Sequence, residues 1–208
     1  MALVSREDTP GLTGWRLKHL LAGKWQGLEP GPHALQRFEE NLYINSRAQT
    51  PQLFVDNAEQ MADLTLATKQ IKAEFVLFDV FNVLHYADEN DNTEMRKVME
   101  RLTQFQEETR ASIGIVHHFN KNADERSLTQ RLRGSGATAG WAEWLIGIAL
   151  MNDSEEFKVR RMEFDIKADE SPEPVYFTIE SSEGWARIKR VDYKHQEKSK
   201  SAAAYLRQ

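Results

Sequence analysis

Four groups of residues in this chain have types and spacings suited to chemistry. In "EFVLFDVFNVLHYADENDN", residues 74–92, an apolar run ends on the lone carboxylate Asp79, and an acidic, amide-rich cluster follows at Asp88-Glu89-Asn90-Asp91-Asn92. Such runs build the metal side of a nucleotide-phosphate site. Near the start, "ALVSRED" places Glu7 after another short apolar run. Ligands of open parallel sheets bind outside the carboxyl ends of the strands, so acids at two such ends can share one task. One can hold Mg²⁺, directly or through water, while the other accepts a proton from an attacking water. Simple solvation of a strand end gives the same residue pattern.

"SIGIVHHFNK" puts His117, His118 and Lys121 at the end of a third apolar run. Neighbouring strand residues point to opposite faces, so the two histidines are not expected to chelate one metal together. One can face a phosphate edge and pass its state to the next loop while the other packs. That loop carries Lys121, Arg126, Arg131 and Arg133 against Asp124 and Glu125, with glycines at 134 and 136. Positive charge on flexible backbone suits a phosphodiester, and it equally suits a solvated connector. Met95 with Met99, and Trp141 with Trp144, read as core or subunit contacts.

The elements that must position these groups follow from periodicity. "TPGLTGWRLKHLLAGKW" reads as a helix that Gly23 can end, and "NLYINS" and "QLFVD" as short strands. Asp56 can cap the helix "NAEQMADLTLATKQIK". "EFVLFDVF" and "SIGIVHHF" lack polar alternation, as strands covered on both faces do. "NTEMRKVMERLTQFQEETRA" is strongly amphipathic, with Met95, Val98, Met99, Leu102 and Phe105 on one face. "NKNADERSLTQRLRGSG" reads as a mobile loop with one turn of helix, and "ATAGWAEWLIGIALM" as a helix running into a strand. After residue 155, "FKVRRMEFDIK", "PVYFTIE" and "WARIKRV" read as antiparallel strands. The expected fold is α/β: a mostly parallel sheet flanked by helices, with C-terminal antiparallel strands.

Composition sets the outer bounds. The 208 residues suffice for one domain with a sizeable core, and 40% hydrophobic and 28% charged content is ordinary for a globular protein. The absence of cysteine excludes disulfides and thiolate metal sites. No window is long and apolar enough to span a bilayer, so a cytoplasmic protein is expected. The net charge of −5 is uneven: residues 185–208 hold seven Lys/Arg against Asp192 and Glu197, which leaves −10 on the rest. A basic tail on an acidic body can touch nucleic acid or an acidic partner, or can simply be solvated.

Taken in order, "ALVSREDTPGLTGWRL", "VLFDVFNVLHYADENDNTEM", "SIGIVHHFNK" and "LRGSGATAG" resemble RecA-like ATPases of the hexameric replicative helicase group typified by the plasmid RepA helicase, with related phage and prophage ATPases, over roughly residues 2–167. The resemblance implies ATP and Mg²⁺ as ligands, with Glu7 polarising the attacking water and Asp79 as the Walker B aspartate on Mg²⁺. It implies His117 and His118 at the sensor position and Arg16 as the arginine of the helix after the glutamate. It implies single-stranded DNA on Lys121, Arg126, Arg131 and Arg133, and a hexameric ring. The corresponding division is a RecA-like core at 1–155, antiparallel strands of the same domain at 156–190 and a basic tail at 191–208.

Two departures qualify the implied activity. The stretch G-x-x-x-x-G-K-[ST] is missing from the sequence, and the pair Gly23-Lys24 is followed by Trp25 instead of a hydroxyl. Glu143 lies where a trans-acting arginine is expected, a role Arg133 or Arg160 could take. The expectation is therefore a fragment of an ATPase core, inactive by itself and deprived of its first strand. The alternative is a RecA-like module that has lost hydrolysis and retains binding to DNA or to a partner.

Overall fold

The computed structural model describes residues 1–25, 31–120, 127–134, 136–151 and 158–193. The chain opens with β1 (Ala2–Ser5), α1 (Pro10–Lys24), α2 (Pro32–Asn41) and β2 (Tyr43–Ser46). It continues through α3 (Ala58–Gln70), β3 (Phe75–Asp79), α4 (Asn92–Thr109) and β4 (Ser112–Ile115). These four strands form one parallel sheet in the order β2-β1-β3-β4. Two short helices follow, α5 (Leu128–Arg131) and α6 (Gly136–Trp141). Then β5 (Trp144–Leu150), β6 (Arg160–Ile166), β7 (Val175–Ser182) and β8 (Trp185–Arg190) form a second, antiparallel sheet in sequence order. This is the expected α/β class. The strand β5 pairs with β6 and so belongs to the antiparallel sheet, on the N-terminal side of residue 155.

The core lies on one face of the parallel sheet. Val4, Val76 and Phe78 are fully buried there against Met61 of α3 and the stripe Met95, Val98, Met99, Leu102 and Phe105 of α4, and Phe78 meets Phe105 edge-on. That stripe is the one expected from helical periodicity. Asp91 caps α4 by accepting hydrogen bonds from the amides of Thr93 and Glu94. Cover on both faces was expected for the β3 and β4 runs. Instead, Phe75, Leu77 and all of β4 beyond Ser112 are only half-buried, and β4 is an edge strand among the described residues.

Four further local expectations are revised. "QLFVD" is not a strand: Leu53 and Val55 are buried in an irregular segment that turns at Val55, and the Val55 amide donates to the Leu84 carbonyl. Asn57, not Asp56, caps α3; Asp56 instead accepts from the Tyr86 amide. Gly23 does not end α1, which runs to Lys24. A Cβ there would lie 1.8 Å from the Ala186 carbonyl oxygen, so Gly23 is where α1 packs directly on the backbone of β8. Trp141 is the last residue of α6 and donates to Thr103 of α4, whereas Trp144 is exposed on β5, so the two tryptophans do not share a helix.

Candidate active site at the carboxyl edge of the parallel sheet

The strand register decides which side chains can meet. Ser5 of β1 pairs with Asp79 of β3, and the Arg6 amide donates to the Asp79 carbonyl at 2.6 Å, so Glu7 and Asp8 leave β1 at the edge where Asp79 leaves β3. The side chain of Arg6 fixes this edge further. It is buried, and it donates to the carbonyls of Ser5 and Asn45 and to the Asn45 side chain, tying β1 to β2. Thr9 then caps α1, with Pro10 as its first residue, so the chain turns sharply after Asp8.

The electrostatics report the resulting crowd. Burial pushes the Asp79 carboxyl above its ordinary range, and the nearby negative charges of Glu7 and Asp8 push it further; Arg16 and His118 pull the other way. Asp79, Glu7, Asp8, Arg16 and His118 therefore share one electrostatic neighbourhood at the sheet edge. Arg16 is exposed on α1 and ion-paired with Asp8. Glu7 is exposed.

The two histidines, just past the end of β4, separate. His118 is exposed and on the Asp79 side. His117 turns inward, with 4% of its side chain exposed, and sits beside Phe81 and 3.8 Å from Glu89. Burial lowers the basicity of His117; Glu89 opposes this, while His118, His85 and Arg133 add to it. The acidic cluster at 88–92 lies at the start of α4, where Asp91 is the cap. Asp88 accepts from the Asn90 amide, Glu94 accepts from the Asp88 amide, and Asp91 is held below the usual carboxylate range by the Glu94 and Thr93 amides. Only Glu89 turns inward from it.

The four cations expected at the DNA-facing loop are not equivalent. Lys121 and Arg126 lie outside the described residues. Arg131 was expected to be free for phosphate; it is 4% exposed, ion-paired with Glu163 of β6, and 4.5 Å over the Phe119 ring. A buried, neutralised guanidinium cannot also face a phosphodiester. Arg133 is half-exposed and 3.4 Å from Glu89. On β8, Arg187 and Lys189 both bind Glu180, and of the basic tail residues 194–208 lie outside the description. Glu143 is exposed and 4.0 Å from Lys167, and Arg160 lies on β6 with its guanidinium on the Lys158 carbonyl. The Gly23-Lys24 pair is against β8, with Lys24 over the Trp25 ring.

A family model described as an AAA domain matches residues 1–124, more than half of the chain. The chain belongs to the AAA domain family. That membership places it among P-loop-type ATPases, which bind nucleotide, usually with Mg²⁺. The match contains Glu7, Arg16, Asp79, His117 and His118 and ends before the second sheet. No curated protein matches the chain. Among the described residues no helix is long and apolar enough to cross a membrane.

The donor set of this AAA domain can be tested against Mg²⁺ directly. No three His, Cys, Asp or Glu side chains among the described residues converge tightly enough to form an all-protein cage. Mg²⁺ does not require one, since it keeps several waters and takes one or two carboxylates. A half-buried Asp79 whose charge is opposed by two neighbouring acids fits that requirement. The sequence singles out Asp79 and Glu7, marks Glu89 only as one member of its acidic cluster, and gives no role to Asp8 or Arg6. Asp8 stands beside Glu7 in the quoted motif, and Glu89 is the acid of its cluster whose side chain turns inward. Nothing in the sequence marks Arg6 as buried.

Proposed function

We propose that this AAA domain is the water-activating and metal-binding part of a RecA-like ATPase core of the hexameric replicative helicase type, which couples ATP hydrolysis to movement on single-stranded DNA. The observation that carries the reading is the convergence of Glu7, Asp79 and His118 at the carboxyl edge of one parallel sheet. In this reading Asp79 holds Mg²⁺, and Glu7, exposed at the same edge, orients and deprotonates the attacking water. The ion, when bound, neutralises charge on a transferring phosphoryl group. Arg16, exposed on α1, pairs with the largely buried Asp8, and its guanidinium stabilises the carboxylate edge. His118 reads the state of that edge, and single-stranded DNA contacts Lys121, Arg126 and the exposed part of Arg133. Subunits assemble as a ring.

A second reading has one observation in its favour. The sequence contains no G-x-x-x-x-G-K-[ST] stretch, so no backbone cradle or lysine for the β and γ phosphates can be assigned to residues of this chain. A module that binds DNA or a partner without hydrolysing ATP would retain the same fold.

The test uses Mn²⁺ as a paramagnetic substitute for Mg²⁺. Broadening of Asp79-edge and His118 resonances is expected, to be lost in Asp79→Asn and kept in Glu7→Gln. Broadening confined to other acids would remove the metal assignment. Binding of labelled oligothymidylate is measured alongside, against salt. Joint replacement of Lys121, Arg126 and Arg133 by Ala should flatten the salt slope by about 2 units at ~0.7 per phosphate contact. An unchanged slope, with binding abolished by truncation at residue 184, would transfer the nucleic-acid contact to the tail.

A further inference from the structure

Glu89, His117, His118 and Arg133 form a closed circuit. The Arg133 amide donates to the His118 carbonyl at 3.1 Å. The His118 amide donates to His117 Nδ1 at 2.8 Å, which leaves the proton of a neutral His117 on Nε2, the nitrogen facing Glu89 at 3.8 Å. The second carboxylate oxygen of Glu89 lies 3.4 Å from Arg133 Nε and closes the ring. Glu89 has little contact with solvent, and its Oε1 is buried with no hydrogen-bond partner, as is His85 Nε2. A movement of about 1 Å would turn the His117 contact into a hydrogen bond and satisfy that oxygen.

Two independent features hold the circuit in place. Gly134 has φ +90°, and a Cβ there would lie 2.7 Å from the Glu89 carbonyl oxygen, so only glycine lets the chain after Arg133 rest on Glu89. The segments 118–120 and 131–133 also pair with each other: the Asn120 amide donates to the Arg131 carbonyl, and Phe119 bridges Leu132. The far end of α5 is fixed separately, through Arg131 to Glu163 and Thr129 to Asp165. The base of the 118–133 excursion is therefore attached to the sheet edge through Glu89 and to the second sheet through Arg131.

We propose that Glu89 is a positioning residue: by clamping His117 to Arg133 it sets the place of His118 opposite Asp79 and joins that edge to the excursion. Its functional meaning rests on the reading of Asp79 as the metal carboxylate, whereas the clamp itself can be tested without it. A group that acts this way need not touch a ligand. Its effect is transmitted through the His118 carbonyl and amide, both of which are members of the circuit.

The experiment compares the full chain with Glu89→Gln and Gly134→Ala. Amide exchange of Arg133 and Asn120 is expected to accelerate at least about tenfold in both variants while the far-ultraviolet circular dichroism of the chain stays unchanged, which shows the fold intact. The His117 titration supplies a readout that packing alone would not move. Glu89, His118, His85 and Arg133 all face this ring, and only Glu89 favours its protonated form. Glu89→Gln should therefore lower the His117 pKa, while Glu89→Asp should restore part of the difference. Mn²⁺-induced broadening of the His118 ring should weaken in Glu89→Gln even though the ion still binds Asp79. Unchanged Arg133 exchange in both variants, or an unmoved His117 titration in Glu89→Gln, overturns the clamp. If Mn²⁺ fails to bind the wild-type edge, the metal reading falls while the exchange and titration results still decide the clamp.

Discussion

Replacing Arg131 by Ala separates two roles that its sequence context cannot distinguish. As a phosphate ligand, Arg131 would be expendable for folding. In the structure its side chain is 5% exposed, bonded to Glu163 at 16% exposure and lying over Phe119. Removing one partner of a buried pair costs about 3–5 kcal/mol when the other charge is left uncompensated. Glu163 also pairs with Arg161, so the lower end of that range applies. Removing a partly desolvated cation from an aromatic face costs about 1 kcal/mol more. Some relaxation of the emptied site offsets part of the sum, leaving a loss of about 3 kcal/mol. For a chain of this length that is a fall of about 6–12 °C in Tm. Thermal and urea unfolding followed by circular dichroism give the stability, and oligothymidylate titration at several salt concentrations gives the binding. Stability unchanged to within about 0.5 kcal/mol, together with weaker, less salt-dependent DNA binding, would refute the structural role and return Arg131 to the phosphate ligands.

Two further outcomes follow from single residues. Asp79→Asn should stabilise the folded chain at neutral pH. The folded-state pKa of Asp79 is raised above its ordinary value of 3.8, so the native state disfavours the charged form, and the resulting destabilisation is full above the folded pKa and vanishes below about 3.8. The wild-type-minus-variant difference in urea midpoint, followed from pH 7 downward, should shrink through that window; a difference that grows on acidification would mean that the crowding of Asp79 is misassigned. Gly23→Ala, which by helix propensity alone would gain up to about 1 kcal/mol, should instead destabilise by about 1–3 kcal/mol, because the added Cβ collides with the Ala186 backbone and must push α1 off β8. A stabilised variant would show that α1 and β8 do not pack as described.

What was legible in the sequence was whatever local periodicity encodes. The α4 stripe follows from residue spacing alone, and the ends of β1 and β3 are marked where an apolar run meets Glu7 and Asp79. The failures share a cause: they depend on residues distant in the chain. "QLFVD" has strand composition, but its amide at Val55 is taken by Leu84, which removes it from the sheet. Gly23 has the position of a helix terminator, and only the approach of β8, some 160 residues later, shows that it is there for contact. Arg131 belongs to a run of loop cations, and Glu163 on β6 withdraws it from solvent. The cluster at 88–92 mixes both cases: its capping acids satisfy local amides, while Glu89 answers to His117 and Arg133, neither of which local spacing reveals.

The adjacent histidines show how the edge can combine two duties without mixing their chemistry. On an extended segment, successive side chains diverge, so one residue of a pair can face the metal edge while its neighbour enters the protein. His118 takes the first position, within the field of Asp79. His117 takes the second, where burial lowers its basicity and its Nε2 faces Glu89. A charge change at Asp79 therefore acts first on His118, whose carbonyl holds the Arg133 amide and whose own amide holds His117. The route from sheet edge to basic excursion thus runs through backbone groups flanking one residue, with a carboxylate closing the far side. Its strength depends on the Glu89 charge and on the bare Cα of Gly134, so it should be lost by removing either one while Glu7 and Asp79 are left in place.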